Sequence, residues 1–413
     1  MAQEAFLTGI DLGSTTVRVV VGQPTETGTV NLVGVAEVPA EGMSKGSVTS
    51  IEDAVTAISS ALERAERMTG QPIERATIGI NGTHVVSQES HGVVAVSRAD
   101  NEIHEDDVER VIEAAQAVAT PPNYEILHII PRTFTVDDQR GIKDPVGMTG
   151  FRLEVDAQII QGLSSQIKNL TKCVFRTSVD ISDLVLGVLA ASESVLTKRQ
   201  KELGVALVDI GSATTSVIVF EEGDVLHTKV LPVGAGHITN DIAIGLRTSI
   251  DVAERLKVEF GTALPDEVGK KEDIGLDEVG GSANETVSRK QIAEIIEARL
   301  EEILKMIDKE LQAIDRSGML PAGIVLIGGG AKLPGAVEVA KREFRLPASV
   351  GNPLDIVTAI DKLNDPSFAT AIGLTYWGAI SAKKGDSGSL FSRFSSVGET
   401  TGKIQRWFKS LMP

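Results

Sequence analysis

Residues 7–21 read LTGIDLGSTTVRVVV, and the same order of residue types returns at residues 204–220, which read GVALVDIGSATTSVIVF. In each copy an apolar strand ends at an aspartate, a Gly-Ser turn follows, and a β-branched strand returns, which predicts a β-hairpin. Backbone N–H and hydroxyl groups of such turns can donate to phosphate oxygens, and the acid can hold Mg²⁺ through water. One copy alone is better explained as an ordinary hairpin with a capping aspartate, whereas two copies can hold one polyphosphate from both sides.

A third glycine turn lies at residues 323–334, which read GIVLIGGGAKLP. A buried apolar strand is predicted to enter the three glycines, and the helix-like stretch PGAVEVAKREF follows them. Glycine lets the backbone approach a ligand where any Cβ would clash. Because many α/β crossovers use a strand, glycines and a helix, this turn supports a nucleotide site only in combination with the two hairpins.

Length and composition limit the class of protein. A chain of 413 residues exceeds what one hydrophobic core usually organises, so we expect two or more domains. The net charge of −17 argues against general nucleic-acid binding. The single cysteine, Cys173, and the N-terminal MAQEAF, which lacks a basic or long apolar leader, favour a reducing cytoplasm. No apolar stretch approaches the length that crossing a bilayer needs.

The three glycine turns resemble the two phosphate motifs and the adenosine motif of the actin, heat-shock chaperone and sugar-kinase superfamily, in which ATP lies between two related domains. The resemblance implies an α/β, two-domain actin-like (ribonuclease H-like) fold that binds ATP and Mg²⁺, with Asp11 and Asp209 holding the metal through water. The residues that it places at the phosphates, the metal and the adenosine are Asp11, Gly13, Ser14, Thr15, Asp209, Gly211, Ser212, Thr214, Gly328, Gly329 and Gly330.

Glu254 and Lys257 are further candidates for the nucleotide site. They lie in residues 252–261, VAERLKVEFG, which match a segment that reaches the base and ribose in actin relatives. Their spacing is also that of a solvated i,i+3 pair on a helix face, and this alternative stays open.

Three longer stretches resemble the FtsA family of bacterial cell-division proteins. Residues 144–155 (DPVGMTGFRLEV) are similar to its inserted subdomain, residues 231–243 (LPVGAGHITNDIA) to a loop and helix, and residues 279–304 (VGGSANETVSRKQIAEIIEARLEEIL) to the end of its fourth subdomain. The loop adds Gly234 and Gly236 to the candidate nucleotide-binding residues. With the hairpins and the C-terminal tail, the resemblance covers nearly the whole chain.

The same resemblance implies a domain organisation with two insertions. An inserted α+β subdomain of the SHS2 type interrupts the first domain, and its helix at residues 103–119 has an acidic first turn. A mostly helical insertion interrupts the second domain. We expect the first domain at 1–84 and 163–203 with its insertion at 85–162, the second at 204–236 and 312–383 with its insertion at 237–311, a linker at 384–401 and a terminal helix at 402–413.

One departure from the superfamily bears on ATP hydrolysis. Hydrolytic relatives begin the connecting helix with Glu-Pro-x-Ala, where the glutamate helps to position the attacking water. The matching residues here are Gly187, Val188, Leu189 and Ala190, which supply no carboxylate. Asp183, one turn earlier, could substitute, with a surface or N-cap role as the alternative. We therefore expect stable ATP binding with weak or no ATPase activity.

Residues 402–413, GKIQRWFKSLMP, follow a linker that is rich in Ser and Gly. Their apolar positions recur at i, i+3, i+4, i+7 and i+8, and the segment has three basic residues and no acid. This pattern predicts a short amphipathic helix on an anionic membrane surface, with a helix docked on its own domain as the alternative. The predicted membrane residues are Ile404, Trp407, Phe408, Leu411 and Met412, with Lys403, Arg406 and Lys409 beside them.

The leading hypothesis is an ATP-binding, filament-forming adaptor that tethers the division tubulin homologue FtsZ to the cytoplasmic face of the inner membrane at the division septum. By family resemblance, the second insertion receives the FtsZ C-terminal peptide, and the first serves self-association and contacts with later division proteins. Arg289, Lys290 and Arg299 are candidate peptide contacts, or else solvated helix charges.

Two other functions are compatible with the superfamily. A PilM-like component of a type IV pilus system would share the fold, but such proteins generally lack the linker and amphipathic terminus. A small-molecule kinase would need a carboxylate base and a substrate pocket, and the sequence identifies neither.

Overall fold

The computed structural model describes residues 6–25, 29–119, 121–269, 271–282, 285–354 and 356–386, with the backbone alone at 118–119 and 381–386. The predicted terminal helix at 402–413 and residues 387–401 of the predicted linker lie outside the described residues. Among the described residues, no helix combines the length and apolar character that spanning a bilayer requires.

The chain begins with the first predicted hairpin, in which β1 (Leu7–Leu12) pairs antiparallel with β2 (Thr16–Pro24). The first helix then begins after Ser50, whose side chain accepts a hydrogen bond from the N–H of Asp53, and ends at Gly70, where φ is +72°. The elements of this segment after the hairpin are β3 (Val30–Pro39), β4 (Met43–Ser44), β5 (Ser47–Val48), α1 (Ile51–Thr69) and β6 (Arg75–Ile80).

The inserted subdomain has a four-stranded antiparallel sheet and a hydrophobic core of its own. Its elements are β7 (Val85–Ala95), α2 (Glu105–Ala119), β8 (Tyr124–Val136), β9 (Gln139–Ile142) and β10 (Arg152–Leu163), with the strand order β7-β10-β8-β9. Helix α2 has the predicted acidic first turn and packs closely on the sheet, since a Cβ at Gly92 would overlap the carbonyl oxygen of Val111. The predicted α+β character is therefore confirmed.

The chain then returns to the first domain and completes its sheet. The returning elements are α3 (Ser164–Phe175), β11 (Asp180–Leu186), α4 (Gly187–Val195) and α5 (Lys198–Leu203). The strand order of the first sheet is β11-β6-β1-β2-β3, with β6 and β11 parallel to β1.

The second domain repeats this arrangement. Its elements, with the last helix of the chain, are β12 (Val205–Ile210), β13 (Thr215–Glu221), β14 (Asp224–Leu231), α6 (Ala235–Leu246), α7 (Ile250–Arg255), β15 (Asp273–Gly275), β16 (Thr286–Ser288), α8 (Arg289–Ala313), β17 (Ile324–Ile327), α9 (Ala336–Phe344), β18 (Ala348–Val350) and α10 (Ala369–Asp386). Its sheet has the order β14-β13-β12-β17-β18.

The two five-stranded sheets have the same topology. In each, the predicted hairpin is followed by a third antiparallel strand on one side, and two later parallel strands join on the other side. The repeated sequence thus corresponds to a repeated fold, and the prediction of two related α/β domains with an actin-like architecture is confirmed.

Helix α10 lies on a different domain from the one that the sequence predicts. The prediction assigns residues 312–383 to the second domain, but α10 packs on the first sheet. A Cβ at Gly9 of β1 would lie 2.7 Å from the backbone nitrogen of Thr375, and the Thr375 hydroxyl donates to the carbonyl of Val20 at 3.1 Å. The final helix returns because it covers apolar residues of the first sheet, and it continues through residues 384–386 of the predicted linker.

Candidate functional site

The two hairpin turns face one cavity of about 660 Å³ between the domains. This volume is in the range of small-molecule and cofactor sites. The structure brings together fourteen of the predicted residues as lining of this cavity. They are Asp11, Gly13, Ser14, Thr15, Asp209, Gly211, Ser212, Thr214, Gly236, Glu254, Lys257, Gly328, Gly329 and Gly330.

The two turns are built in the same way. The N–H of Gly13 donates to the carbonyl of Thr16 at 3.1 Å, and the N–H of Gly211 donates to the carbonyl of Thr214 at 3.0 Å. A Cβ at these glycines would lie 2.7 Å and 2.9 Å from the same carbonyl oxygens. Glycine is therefore required here by close approach within the turn.

Gly234 and Gly236 dock helix α6 on the second turn. The N–H of Gly236 donates to the carbonyl of Ser212 at 2.8 Å, and a Cβ at Gly234 would lie 2.8 Å from that carbonyl oxygen. Gly234 packs against the second turn but does not line the cavity, whereas Gly236 does. The start of α6 thus lies at the cavity, where the positive end of the helix dipole favours an anion, while the N–H groups of Ala235 and Gly236 donate to the carbonyls of the second turn.

The three consecutive glycines have three different environments. Gly328 has a φ of +83°, and a Cβ there would overlap the carboxylate of Asp209. A Cβ at Gly330 would overlap the side chain of Ile210, while Gly329 has no neighbouring atom within 4 Å of a Cβ position. Gly328 and Gly330 are therefore needed for packing, and Gly329 leaves an open face toward the cavity.

Asp11 and Asp209 are held in a poorly solvated position. Burial raises the pKa of Asp11 to about 6 and the pKa of Asp209 to about 7, and the charge of Asp11 raises the pKa of Asp209 further. The positive charge of Arg18 lowers both pKa values without cancelling the effect of burial. Two carboxylates that repel each other in this way form a favourable site for a cation.

Arg18 is a cavity residue that the sequence analysis missed. It lies opposite Asp11 in the first hairpin, and its guanidinium pairs with Glu37 at 2.9 Å and lies 5.4 Å from the ring centroid of Phe368. Its Nε is buried without a hydrogen-bond partner among the described residues. The sequence of β2 could have indicated Arg18, because Arg18 is the one charged residue in this otherwise mostly apolar strand.

Other cavity residues come from segments without a motif. Asn81 donates to the Asp11 carboxylate at 3.4 Å, and Thr370 donates to the Asp209 carboxylate at 3.5 Å. Asn81 comes directly after the apolar strand β6, and a polar residue at the end of a buried strand is a sequence signal that could have indicated it. Thr370 begins helix α10 and has no local signal. The remaining polar lining residues include Glu37, Lys332, Asp365 and Ser367.

Glu254 and Lys257 form a hydrogen-bonded network at the cavity. Their ion pair has an N–O distance of 2.7 Å, and Lys257 also donates to the Thr239 hydroxyl at 2.8 Å. Helix α7 continues here as a π-helical turn, Leu256–Phe260, a feature that often marks functional sites. The Lys257 side chain is 11% exposed and that of Glu254 is 50% exposed, so the i,i+3 pair forms with its lysine largely buried and its carboxylate half exposed.

The connecting helix α4 begins at Gly187 and brings no carboxylate to the cavity. A Cβ at Gly187 would overlap the amide group of Asn81. Asp183 lies within β11, does not line the cavity, and accepts a hydrogen bond from the indole N–H of Trp377 at 3.1 Å. Asp183 is partly exposed, brings no carboxylate to the cavity, and does not cap helix α4, whose N-cap is Leu186.

The basic candidates for peptide binding lie on helix α8, and two of them have acidic partners. Arg289 pairs with Glu272 at 2.6 Å, and Arg299 binds Asp241 through two N–H groups at 2.5 and 3.0 Å. Lys290 forms no ion pair within the described part of the chain. Arg289 and Arg299 are therefore engaged with carboxylates of this chain, whereas Lys290 is not, among the described residues.

Comparison with known proteins identifies the family. A model of the cell division protein FtsA matches residues 206–373, and a model of the SHS2 domain inserted in FtsA matches residues 82–161. The cell division protein FtsA of Pseudomonas aeruginosa is 37% identical over 406 residues, which cover 97% of each chain. The chain belongs to the FtsA family of cell division proteins.

Other members of the FtsA family are similar along most of their length. FtsA of Bacillus subtilis is 39% identical over 383 residues, covering 93% of this chain and 86% of the relative. FtsA of Escherichia coli K12 is 34% identical over 411 residues, covering 98% of this chain and 97% of the relative. A cell-division role therefore follows from the family.

Solved structures share the fold of this FtsA-family chain at low sequence identity. A chain of the PilM-PilN type IV pilus biogenesis complex has a TM-score of 0.68 at 16% identity, covering 92% of this chain and 99% of that chain. An MreB of Spiroplasma citri bound to AMPPNP has a TM-score of 0.54 at 13% identity, covering 94% and 100%. The likeness to the pilus complex is one of fold alone, whereas the FtsA relatives share sequence along the chain.

Proposed function

We propose that this chain binds ATP with Mg²⁺ between its domains, polymerises, and tethers FtsZ filaments to the cytoplasmic face of the inner membrane at the division septum. The observation that carries the nucleotide part is that both Gly-Ser turns and both strand-end aspartates line one cavity. Membership of the FtsA family supports the cell-division part. The structures of MreB with ADP and AMPPNP are those of proteins with the same fold.

In this proposal, Asp11 and Asp209 hold Mg²⁺ through water, because Mg²⁺ keeps several waters and binds one or two carboxylates together with substrate phosphates. Burial and, to a smaller extent, repulsion by Asp11 raise the pKa of Asp209, and a divalent cation would relieve that repulsion. The metal supplies charge neutralisation for the phosphates. The backbone N–H groups of the two turns, other than those of Gly13 and Gly211, bind the phosphate oxygens, and the positive end of the α6 dipole lies beside them.

The base and ribose lie on the side of Glu254 and Lys257, with the open backbone of Gly329 beside them. Hydrolysis is slow in this proposal, since the start of α4 has no carboxylate and Asp183 is bound to Trp377.

Nucleotide binding is tested by titration of a fluorescent ATP analogue, with Asp209→Asn as the site variant and Asp273→Asn, which is exposed, as the control. Loss of binding in Asp273→Asn as well would contradict the assignment of the nucleotide to this cavity. A brisk Mg²⁺-dependent ATPase in the wild type would contradict slow hydrolysis.

The membrane part of the proposal rests on the amphipathic pattern of residues 402–413. A helix of about three turns buries few side chains and binds weakly alone, whereas many tails on one polymer bind with avidity. The test is co-sedimentation with anionic liposomes, with and without residues 402–413, at protein concentrations below and above polymerisation. Equal pelleting of the truncated chain would refute the anchoring role.

In this proposal, the second-domain insertion binds the FtsZ C-terminal peptide. The first-domain insertion serves self-association and binds later division proteins. Lys290 is the sharpest probe, because its charge is not committed to an ion pair among the described residues. We expect Lys290→Glu to weaken peptide binding by about tenfold in fluorescence anisotropy, as for loss of a charge-assisted contact. Lys309→Glu, an exposed lysine on the same helix, is the matched control.

A further inference from the structure

The inserted subdomain contacts the second domain as well as the first, from which it extends. Its attachment to the first domain is apolar, because four of its side chains belong to the hydrophobic core that contains the strands of the first sheet. These are Val85, Leu127, Ile130 and Ile160. On its other side, strands β7, β8 and β10 contact β14, the edge strand of the second sheet. The insertion therefore bridges the two domains.

Strand β14 lies on the face of the insertion sheet that α2 leaves open. A Cβ at Gly92 would overlap α2, and Glu89, three residues earlier on β7, points to the opposite face. On this open face Glu89 pairs with Arg132 of β8 at 2.9 Å and lies beside Gln158 in the register. Gln158 is 2% exposed, whereas Asp156, on the same face of β10, is exposed. The open face is therefore covered in one part only.

Charged side chains of the insertion and the second domain meet at this contact. Lys143, directly after β9, donates to the carboxylate of Asp224, the first residue of β14, and forms an ion pair with it. Burial raises the pKa of Asp224, and the hydrogen bond and charge of Lys143 and the charge of Arg132 lower it in part. Further along β14, burial lowers the pKa of His227, and Glu89 is among the groups that oppose this shift. We call Lys143 and Asp224 the bridging pair.

The bridging pair lies at the end of the second sheet opposite the cavity. Strand β13 begins at Thr215, beside the second turn, and ends at Glu221, which pairs with Asp224. The length of this strand separates the two ends of the sheet by about 20 Å. Neither Lys143 nor Asp224 lines the cavity. A substitution of either residue therefore changes no group that a ligand in the cavity contacts.

We propose that Lys143 and Asp224 are positioning residues for nucleotide binding, which hold the second domain against the insertion and so keep both walls of the cavity in place. This inference rests on the proposed nucleotide site between the domains. Because the insertion is fixed to the first domain by apolar packing, a movement that separates the cavity walls also separates Asp224 from Lys143. A contact that is made only in the arrangement that forms the cavity favours that arrangement, and its loss raises the population of arrangements that release the ligand.

The test measures how fast a fluorescent ATP analogue with Mg²⁺ leaves the full chain after excess ATP is added, at a protein concentration below polymerisation. The variants are Lys143→Glu, Asp224→Lys and the two combined. We expect each single variant to release the analogue about two- to fivefold faster than wild type, the range for one partly exposed ion pair. The combined variant, in which the charges are exchanged, should release it at the wild-type rate. Single variants with the wild-type rate, or a combined variant as fast as the single ones, would overturn the proposal.

The matched control is Lys168→Glu. Lys168 of α3 pairs with Glu125 of β8 at 3.8 Å, so this ion pair joins the insertion to the first domain and not to the second. We expect the control to release the analogue as wild type does. At about 1 M salt, where the Debye length is about 3 Å, wild type and the single variants should converge. A control as fast as Lys143→Glu would show a general effect of charge and would exclude the bridging role.

Hydrogen exchange without nucleotide gives a second readout, which does not depend on the cavity. We expect the amides of β7 and β14 to exchange about two- to fivefold faster in Lys143→Glu than in wild type, because the contact between these strands opens more often. The amides of β17, between β12 and β18, should exchange as in wild type. Unchanged exchange in both β7 and β14 would contradict the proposal.

The outcomes also separate this inference from the proposed nucleotide site. If wild type binds the analogue, Asp209→Asn does not, and the single variants release it at the wild-type rate, the nucleotide site stands and the bridging role is wrong. If wild type does not bind the analogue, both proposals fail. Equal free energies of urea unfolding for wild type and the single variants would exclude misfolding as the cause of faster release.

Discussion

Asp11 and Asp209 have chemical properties that the hairpins alone would not give them. In an isolated hairpin, each carboxylate would be solvated and ionised at neutral pH. The packing of the two domains instead raises the pKa of Asp11 to about 6 and the pKa of Asp209 to about 7. Since the protonated form is favoured in the folded state, the pair contributes stability that is present below about pH 4 and is lost as the pH rises through about 7.

We expect Asp209→Asn to stabilise the nucleotide-free protein at about pH 8 while removing Mg²⁺-dependent nucleotide binding. The neutral amide abolishes the repulsion with Asp11, and a gain of about 1 kcal/mol would raise the Tm by about 2–4 °C. Scanning calorimetry at about pH 8 and about pH 4 measures the effect, which should largely disappear at the lower pH. A Tm below wild type at both pH values would show that the amide disrupts packing and that charge is not the main effect.

Helix α10 is the element that links the cavity with the chain exit. Thr370, at its beginning, binds Asp209, and Trp377, two turns later, binds Asp183 of β11. Its crossing with α4 is close, since a Cβ at Gly373 would overlap the carbonyl oxygen of Ala190. The glycine therefore sets the distance between two helices that both contact the first sheet.

We expect Gly373→Ala to destabilise the protein by about 1–3 kcal/mol, because the added methyl group forces α4 and α10 apart. Gly378→Ala is the matched control in the same helix, where the nearest atom to a Cβ is the Thr77 hydroxyl at 3.2 Å. Both substitutions gain similar helix propensity, so their difference in urea unfolding reports the contact. Equal free energies of unfolding for the two variants would contradict the close-crossing argument.

The molecule as a whole is organised around a cavity whose walls come from both domains. Asp11, Arg18 and Asn81 belong to the first domain, and Asp209 and Gly328 belong to the second. A ligand that contacts both walls binds the assembled body and not the separate halves. Ligand binding should therefore stabilise the two domains together.

We expect saturating ATP with Mg²⁺ to raise the Tm of the entire cooperative transition. A ligand at about one hundred times its Kd stabilises by about 2.7 kcal/mol if it does not bind the unfolded chain. Removal of Mg²⁺ with EDTA should reduce the shift, because Asp11 and Asp209 then face the phosphates without a bridging cation. Differential scanning fluorimetry on wild type and Asp209→Asn measures this. A shift independent of both Mg²⁺ and Asp209 would locate the nucleotide elsewhere.

The sequence by itself determined the features that depend on local patterns. Both hairpins and the three-glycine turn follow from apolar periodicity and turn residues, which act over a few neighbouring positions, whereas the α+β insertion was implied by the family resemblance. The family resemblance added Glu254 and Lys257, which do line the cavity.

Only the tertiary structure decided which residues meet across long distances in the chain. Arg18 of β2 and Asn81 after β6 line the cavity, and Thr370 lines it because helix α10 returns to the first sheet, where Trp377 of that helix binds Asp183. The raised pKa values of the two aspartates come from their burial between the domains and, for Asp209, from the charge of Asp11. Burial, repulsion and helix crossing depend on separations in space, which no window of neighbouring residues contains.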